Sequence, residues 1–208
     1  MELCPDAKVY KNDPEGGQID IQDGRMFRTE GASLRAFHCP GHTSDHMALV
    51  LEEEDAMFTG DNVLGHGTAV FEDLPTYLSS LDQMQRQFSG RAYPGHGAVV
   101  ADGRGKIAEY IAHRQQREDE VMQVLKTGRT TTAAATTMGA PSGTPDGDGT
   151  AAAWTPIEIV KVIYKDVPEN LHEPAERGLL QVLRKLERDG KVGQVSQGQW
   201  QIQGRAAL

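Results

Sequence analysis

Leu34-Arg35-Ala36-Phe37-His38-Cys39 runs directly into Pro40-Gly41-His42-Thr43, and farther on Ala56-Met57-Phe58-Thr59 runs into Gly60-Asp61. In each, a short stretch of strand character ends in glycine followed by a residue able to hold a cation. Between them, Met47-Ala48-Leu49-Val50-Leu51 reads as a buried strand and Glu52–Asp55 as the turn that follows it. From Asp73 to Phe88 the apolar positions Leu74, Tyr77, Leu78, Leu81, Met84 and Phe88 fall on one helical face, and Asp73 and Pro75 suit its start. A short strand at Arg91-Ala92-Tyr93 enters Pro94-Gly95-His96-Gly97. A charged helix follows from about Gly105 to Leu125, with Ile107, Tyr110, Ile111, Val121 and Leu125 on its inner side. Strands followed by helices, each loop after a strand carrying a polar motif, predict a layered α/β or α+β unit.

Three of the seven histidines lie against glycine: Gly41-His42, Gly65-His66-Gly67 and Gly95-His96-Gly97. Glycine lets the backbone turn sharply and approach closely, so an imidazole can project from a strand end into a shared pocket. Neutral imidazole and carboxylate are both zinc ligands. Any one of these histidines is read more simply as a loop residue. Two histidines and an aspartate at the ends of separate predicted strands could converge on one sheet edge.

The 208 residues allow one large or two small domains, with 38% hydrophobic and 25% charged residues. A net charge of −9 argues against coating nucleic acid or anionic membrane with the whole surface, and leaves a local basic groove open. Two cysteines, Cys4 and Cys39, make no disulfide framework and favour a reducing, intracellular setting. No apolar run approaches the roughly 20 residues that span a bilayer. The first residues resemble neither a signal nor a transit peptide, so the expectation is cytoplasmic or mitochondrial, with no membrane partner.

Residues 127–153, built from Thr, Ala, Gly, Pro, Ser and Asp, read as a flexible linker or insertion. They separate a Gly/His-rich segment, 1–126, from a small domain, 154–208. That domain opens on a capping box, Thr155-Pro156-Ile157-Glu158, with a helix to about Tyr164. A second helical stretch is expected around Asn170–Arg177 and a third over Leu179–Leu186. Val192, Val195, a turn at Gln197-Gly198 and Trp200 alternating with Ile202 read as a hairpin. Three short helices and a hairpin outline a winged helix-turn-helix.

Pro40-Gly41-His42-Thr43, Thr59-Gly60-Asp61 and Tyr93-Pro94-Gly95-His96-Gly97 resemble the third, fourth and fifth signature motifs of the metallo-β-lactamase superfamily. Pro40 to Met47, Phe71-Glu72-Asp73-Leu74 and Val162 to His172 resemble its lactamase-beta-2-like branch, whose animal members are single-strand-selective endoribonucleases. The resemblance covers nearly the whole chain except 127–153. It implies the C-terminal half of an αββα sandwich followed by a small winged helix. It also implies His42 on a first zinc ion, His96 on a second, and Asp61 bridging both as the catalytic carboxylate. The superfamily's leading motif, His-x-His-x-Asp-His, occurs nowhere in this sequence. The expectation is therefore a chain that starts in mid-domain and does not hold a dinuclear centre alone.

His46 is a candidate substrate contact or support for the ligands and reads equally as a plain strand-start residue; His66 is a candidate substrate contact, read more simply as a loop histidine. His38, His113 and His172 read as structural or solvent-facing, Cys39 as a small buried residue, and Trp154 and Trp200 as core anchors. Arg184, Lys185, Arg188 and Lys191 give the winged domain a basic edge, but residues 155–208 hold eight basic and seven acidic side chains. A solvated face is the stronger reading of that balance. The leading functional expectation is a zinc-dependent endoribonuclease on single-stranded RNA. The Gly60 to Thr68 stretch closely resembles fungal acyl-carrier-protein thioesterases of polyketide pathways, and glyoxalase II shares the metal chemistry, so an acyl thioester is the alternative substrate, with Tyr93 to Gly97 and Ile163 to His172 favouring the endoribonuclease. A non-catalytic binding module is the third reading.

Overall fold

The computed structural model describes residues 7–127, 153–195 and 198–203. The linker expected over 127–153 and the hairpin turn at Gln197 fall almost wholly outside the described residues. The chain divides into two units, 1–114 and 115–208, and the division falls within one long helix.

The first unit is built on a five-stranded sheet. Its strands are β3 (Met26–Thr29), β4 (Ala32–His38), β5 (Met47–Leu51), β6 (Ala56–Gly60) and β7 (Ala92–Pro94), in the spatial order β3-β4-β5-β6-β7. A parallel pair, β1 (Tyr10–Lys11) with β2 (Ile19–Asp20), precedes them. The pairs β3–β4, β4–β5 and β5–β6 are antiparallel, whereas β6–β7 is parallel. Hence β4, β6 and β7 run in one direction, and the loops after all three leave the sheet at the same end.

Side chains alternate across the sheet. Phe37, Ala48, Val50, Met57 and Ala92 share one face, and with Tyr77, Leu81, Met84 and Phe88 from the α1 (Leu74–Met84) region and Ile107 and Tyr110 of α2 (Gly103–Thr127) they form the core. Helix α1 starts where its sequence dictates: Asp73 accepts from the Thr76 amide, with Pro75 in the first turn. Sequence reading missed β3, a short strand whose Met26 and Phe27 are only half-buried. It is specified by its pairing to β4 rather than by an apolar run.

In the second unit, the Thr155 capping box forms both of its bonds and opens α3 (Pro156–Ile163). The two further helices expected here are one continuous helix, α4 (His172–Arg188), preceded by a 3₁₀ turn at Glu169–Leu171. Gly178 does not break α4, because Leu179, Val182, Leu183 and Leu186 bury one continuous stripe that outweighs the roughly 1 kcal/mol cost of a helical glycine. Strands β8 (Val192–Val195) and β9 (Gln199–Ile202) form the antiparallel hairpin, with Trp200 buried. A buried ion pair also sits in this unit. Glu118, 2% exposed, accepts from Lys185 Nζ at 2.9 Å, and the same ammonium reaches Asp189 at 2.9 Å. The other carboxylate oxygen of Glu118 is buried with no hydrogen-bond partner among the described residues. No helix among the described residues is long and apolar enough to cross a membrane.

Candidate metal centre

Three loops at the common end of β4, β6 and β7 bring His42, Asp61 and His96 together. Main-chain pairing continues past the strands, with the Gly95 amide donating to the Gly60 carbonyl at 2.9 Å, so Asp61 and His96 leave the sheet side by side. The Asp61 carboxylate is divided between the two imidazoles. Its Oδ2 lies 3.8 Å from His42 Nε2 and its Oδ1 lies 3.6 Å from His96 Nε2. Both separations exceed a hydrogen bond. They are close to the spacing of two ligands on one cation, about 3.4 Å for bonds of about 2.0–2.2 Å at a tetrahedral angle.

His42 is oriented from behind. Its Nδ1 donates to the Val70 carbonyl at 2.8 Å. A carbonyl only accepts, so Nδ1 carries a proton and Nε2 is the nitrogen turned toward Asp61. Asn62, fully buried, supports the same loop: its Oδ1 accepts from the His42 amide at 3.1 Å and its Nδ2 donates to the Cys39 carbonyl at 2.6 Å. Tyr77 in turn donates to the Asn62 carbonyl at 2.6 Å, and Ser80 to the Pro40 carbonyl at 2.6 Å. Sequence reasoning passed over Asn62, although a buried amide directly after the Gly60-Asp61 turn is what the convergent loops need. The Val70 carbonyl carried no side-chain signal at all.

Gly95 is required by close approach: a Cβ there would sit 2.7 Å from Asp61 Oδ1. His66 lies exposed on the neighbouring loop, packed against Gly97, where a Cβ would fall 2.5 Å from its Nδ1. The Gly65 amide also donates to the His96 carbonyl at 2.9 Å. His66 thus stands beside the His96 loop and open to solvent.

His46 is placed otherwise. Its Nε2 accepts from the Asp61 amide at 3.1 Å and its Nδ1 faces Cys39 Sγ at 3.4 Å. Desolvation, then the neighbouring His42, push its pKa down to about 4, so the ring is neutral. Burial pushes the fully buried Cys39 thiol up to about 12, which excludes a thiolate nucleophile. His38 and His172 each face a main-chain carbonyl, of Ser44 at 3.1 Å and Val167 at 3.0 Å.

The donor types and spacing fit a carboxylate shared between two divalent cations, with one imidazole on each side. The donor count falls short: among the described residues no group of three or more His, Cys, Asp or Glu could hold a metal ion. Each position has two protein donors, where a catalytic zinc has three.

Comparison with known proteins bears on both units. Residues 5–101 match the family described as the metallo-beta-lactamase superfamily, and residues 155–200 the beta-lactamase associated winged helix domain. A lactamase-like protein, aptB, of Emericella nidulans is 41% identical over 203 residues, covering 96% of this chain and 61% of the relative. An atrochrysone carboxyl ACP thioesterase of Aspergillus chevalieri is 44% identical over 202 residues, covering 95% and 60%. A crystal structure of a metallo-beta-lactamase family protein from Thermus thermophilus superposes with a TM-score of 0.65 at 24% identity, covering 91% of this chain and 56% of that one; it shares the fold. The chain spans about three-fifths of the length of the curated relatives it matches.

Proposed function

The chain belongs to the metallo-beta-lactamase superfamily through residues 5–101, with a beta-lactamase-associated winged helix at 155–200, and from that premise we propose that the whole protein is a metal-dependent thioesterase acting on acyl groups held by a carrier protein. The observation that carries the reading is the Asp61 carboxylate, with His42 facing one oxygen and His96 the other. The relative named an ACP thioesterase, aligned over nearly all of this chain, supplies the substrate class.

Divalent cations held here, zinc being suited to the donor set, would supply Lewis acidity, acidifying water and offsetting the charge that develops on the acyl oxygen. His42, His96 and Asp61 are the proposed ligands, and each position needs further ligands beyond these three. The Val70 carbonyl keeps His42 in the tautomer whose Nε2 faces Asp61. His66, exposed beside the His96 loop, is the proposed substrate contact. Water adds to the thioester carbonyl, the carbon–sulfur bond breaks, and the products are a carboxylic acid and the carrier's free thiol.

The acyl thioester stands ahead of single-stranded RNA as substrate on two observations. Among the relatives compared, the printed substrate is a carrier-protein thioester. The exposed side of α4 interleaves Arg177, Arg184 and Arg188 with Glu173 and Glu187, which is a mixed face rather than a basic groove.

The test incubates the zinc-supplemented whole protein with an acyl-phosphopantetheinyl carrier protein and, separately, with a labelled single-stranded RNA. Thiol release that Asp61→Asn lowers by about a hundredfold or more supports the proposal. RNA cleavage abolished by Asp61→Asn, with no thiol released, refutes it, as does the absence of both activities.

A further inference from the structure

His46 is the residue whose surroundings the proposed chemistry leaves unused. It closes the loop that carries His42, stands immediately before β5, and reaches across to the turn that carries Asp61. Each of its ring nitrogens has a defined partner. The Asp61 main-chain amide can only donate, so the lone pair of Nε2 is spent on it at 3.1 Å. The single proton of the neutral ring then sits on Nδ1 and points at Cys39 Sγ, 3.4 Å away. A nitrogen whose lone pair is engaged in this way neither ligates a cation nor takes a proton from a substrate.

The same ring fills the space above the turn. Gly60 adopts φ +53°, and a Cβ on it would fall 2.7 Å from His46 Nε2. This is the point where the β6–β7 register shifts, between Phe58 and Gly60, and the chain turns out of the sheet to present Asp61. The His46 ring is also set edge-on to His42, with centroids 6.2 Å apart. Its own main chain is anchored to the first loop, its carbonyl accepting from the Cys39 amide at 3.0 Å.

We propose that His46 is a positioning residue: a strut from the His42 loop to the Asp61 amide that fixes the 3.8 Å separation of His42 and Asp61 and the split of the carboxylate between its two neighbours. It is not a substrate contact. The metal consequence rests on the reading of Asp61 as a shared ligand, whereas the hydrogen bond itself does not.

The experiment compares His46→Gln, whose side-chain oxygen can replace Nε2 as an acceptor, with His46→Leu, which fills the volume without accepting. Amide hydrogen exchange at Asp61, read by ¹⁵N-resolved NMR, is the first measurement. Exchange at least tenfold faster in His46→Leu and within about threefold of the parent in His46→Gln, with amides of β4 and β5 unchanged in both, supports the strut. Unchanged Asp61 exchange in His46→Leu overturns it, and so does a folded His46→Gln that fails to rescue. The second measurement is titration of the whole protein with Co²⁺, followed by its visible absorption. Outer partners of metal ligands are commonly worth about 10–100-fold in affinity, so His46→Leu should weaken binding by about tenfold or more and His46→Gln should not. A whole protein, with the further ligands each position needs, that binds no Co²⁺ sinks the metal reading of Asp61, while the exchange result still decides the strut.

Discussion

Replacing Lys185 by Met should leave the Glu118 carboxylate stranded. The carboxylate is 2% exposed and the ammonium 18% exposed, the two are 2.9 Å apart, and the second oxygen of Glu118 already has no hydrogen-bond partner among the described residues. Breaking a buried pair by removing one partner costs about 3–5 kcal/mol. Solvent reaches the lysine end, so about 3 kcal/mol is expected here. The double variant Glu118→Leu/Lys185→Met removes both charges and should return to within about 1 kcal/mol of the parent, because the desolvation cost disappears with the attraction. Both tryptophans, Trp154 and Trp200, lie in this unit, so urea unfolding followed by tryptophan emission reports on it directly. The pH dependence supplies a second check. Burial disfavours the Lys185 charge, but its hydrogen bonds to Glu118 and Asp189 outweigh that and raise its pKa. The parent's stabilisation from this lysine is therefore present below the unfolded value of about 10.4 and lost only as pH rises through the higher folded one. A loss below about 1 kcal/mol for Lys185→Met, or a double variant no better than the single, would refute the reasoning.

Gly95→Ala pushes a methyl group to 2.7 Å from Asp61 Oδ1; thioester turnover should fall by about tenfold or more while the melting temperature moves little, as activity and calorimetry together would establish. Asn62→Ala strips partners from the His42 amide and the Cys39 carbonyl inside a fully buried site, costing about 2–4 kcal/mol in denaturant titration. Cys39 carries a thiol pKa raised by burial from 9.0 to about 12, so its contribution is complete below pH 9 and is lost as pH rises toward 12, at about 1.4 kcal/mol per unit. Cys39→Ala should flatten that alkaline slope, and a native protein whose Cys39 peptide is alkylated rapidly at pH 8 would contradict the burial. Thr155→Ala removes the cap of α3 and should cost about 1 kcal/mol, measured by the same tryptophan-detected unfolding.

The three residues proposed as ligands were legible because each is announced locally: a strand of recognisable periodicity, then a glycine, then His42, Asp61 or His96. Their meeting follows from strand direction, since β4, β6 and β7 end at one side of the sheet. What holds them was less legible. Asn62, Tyr77 and Ser80 act on main-chain carbonyls and amides that belong to other elements, and His42 is oriented by the Val70 carbonyl, which any residue type could have supplied. His46 was open to two readings because sequence spacing gives no information about which way an imidazole turns. In the second unit, the capping box and the hairpin were visible, whereas the two helical stretches expected around Asn170–Arg177 and over Leu179–Leu186 are joined through the buried stripe of α4.

The direction of β7 also governs the order in which the site is assembled. Strands β3 to β6 form an antiparallel meander of short connections, so His42 and Asp61 can approach each other through local closure alone. His96 arrives only when β7 docks in parallel after the α1 crossover, at the cost of closing a longer loop. The half of the site facing Asp61 Oδ2 thus needs only short-range closure, whereas the half facing Oδ1 depends on the longer one.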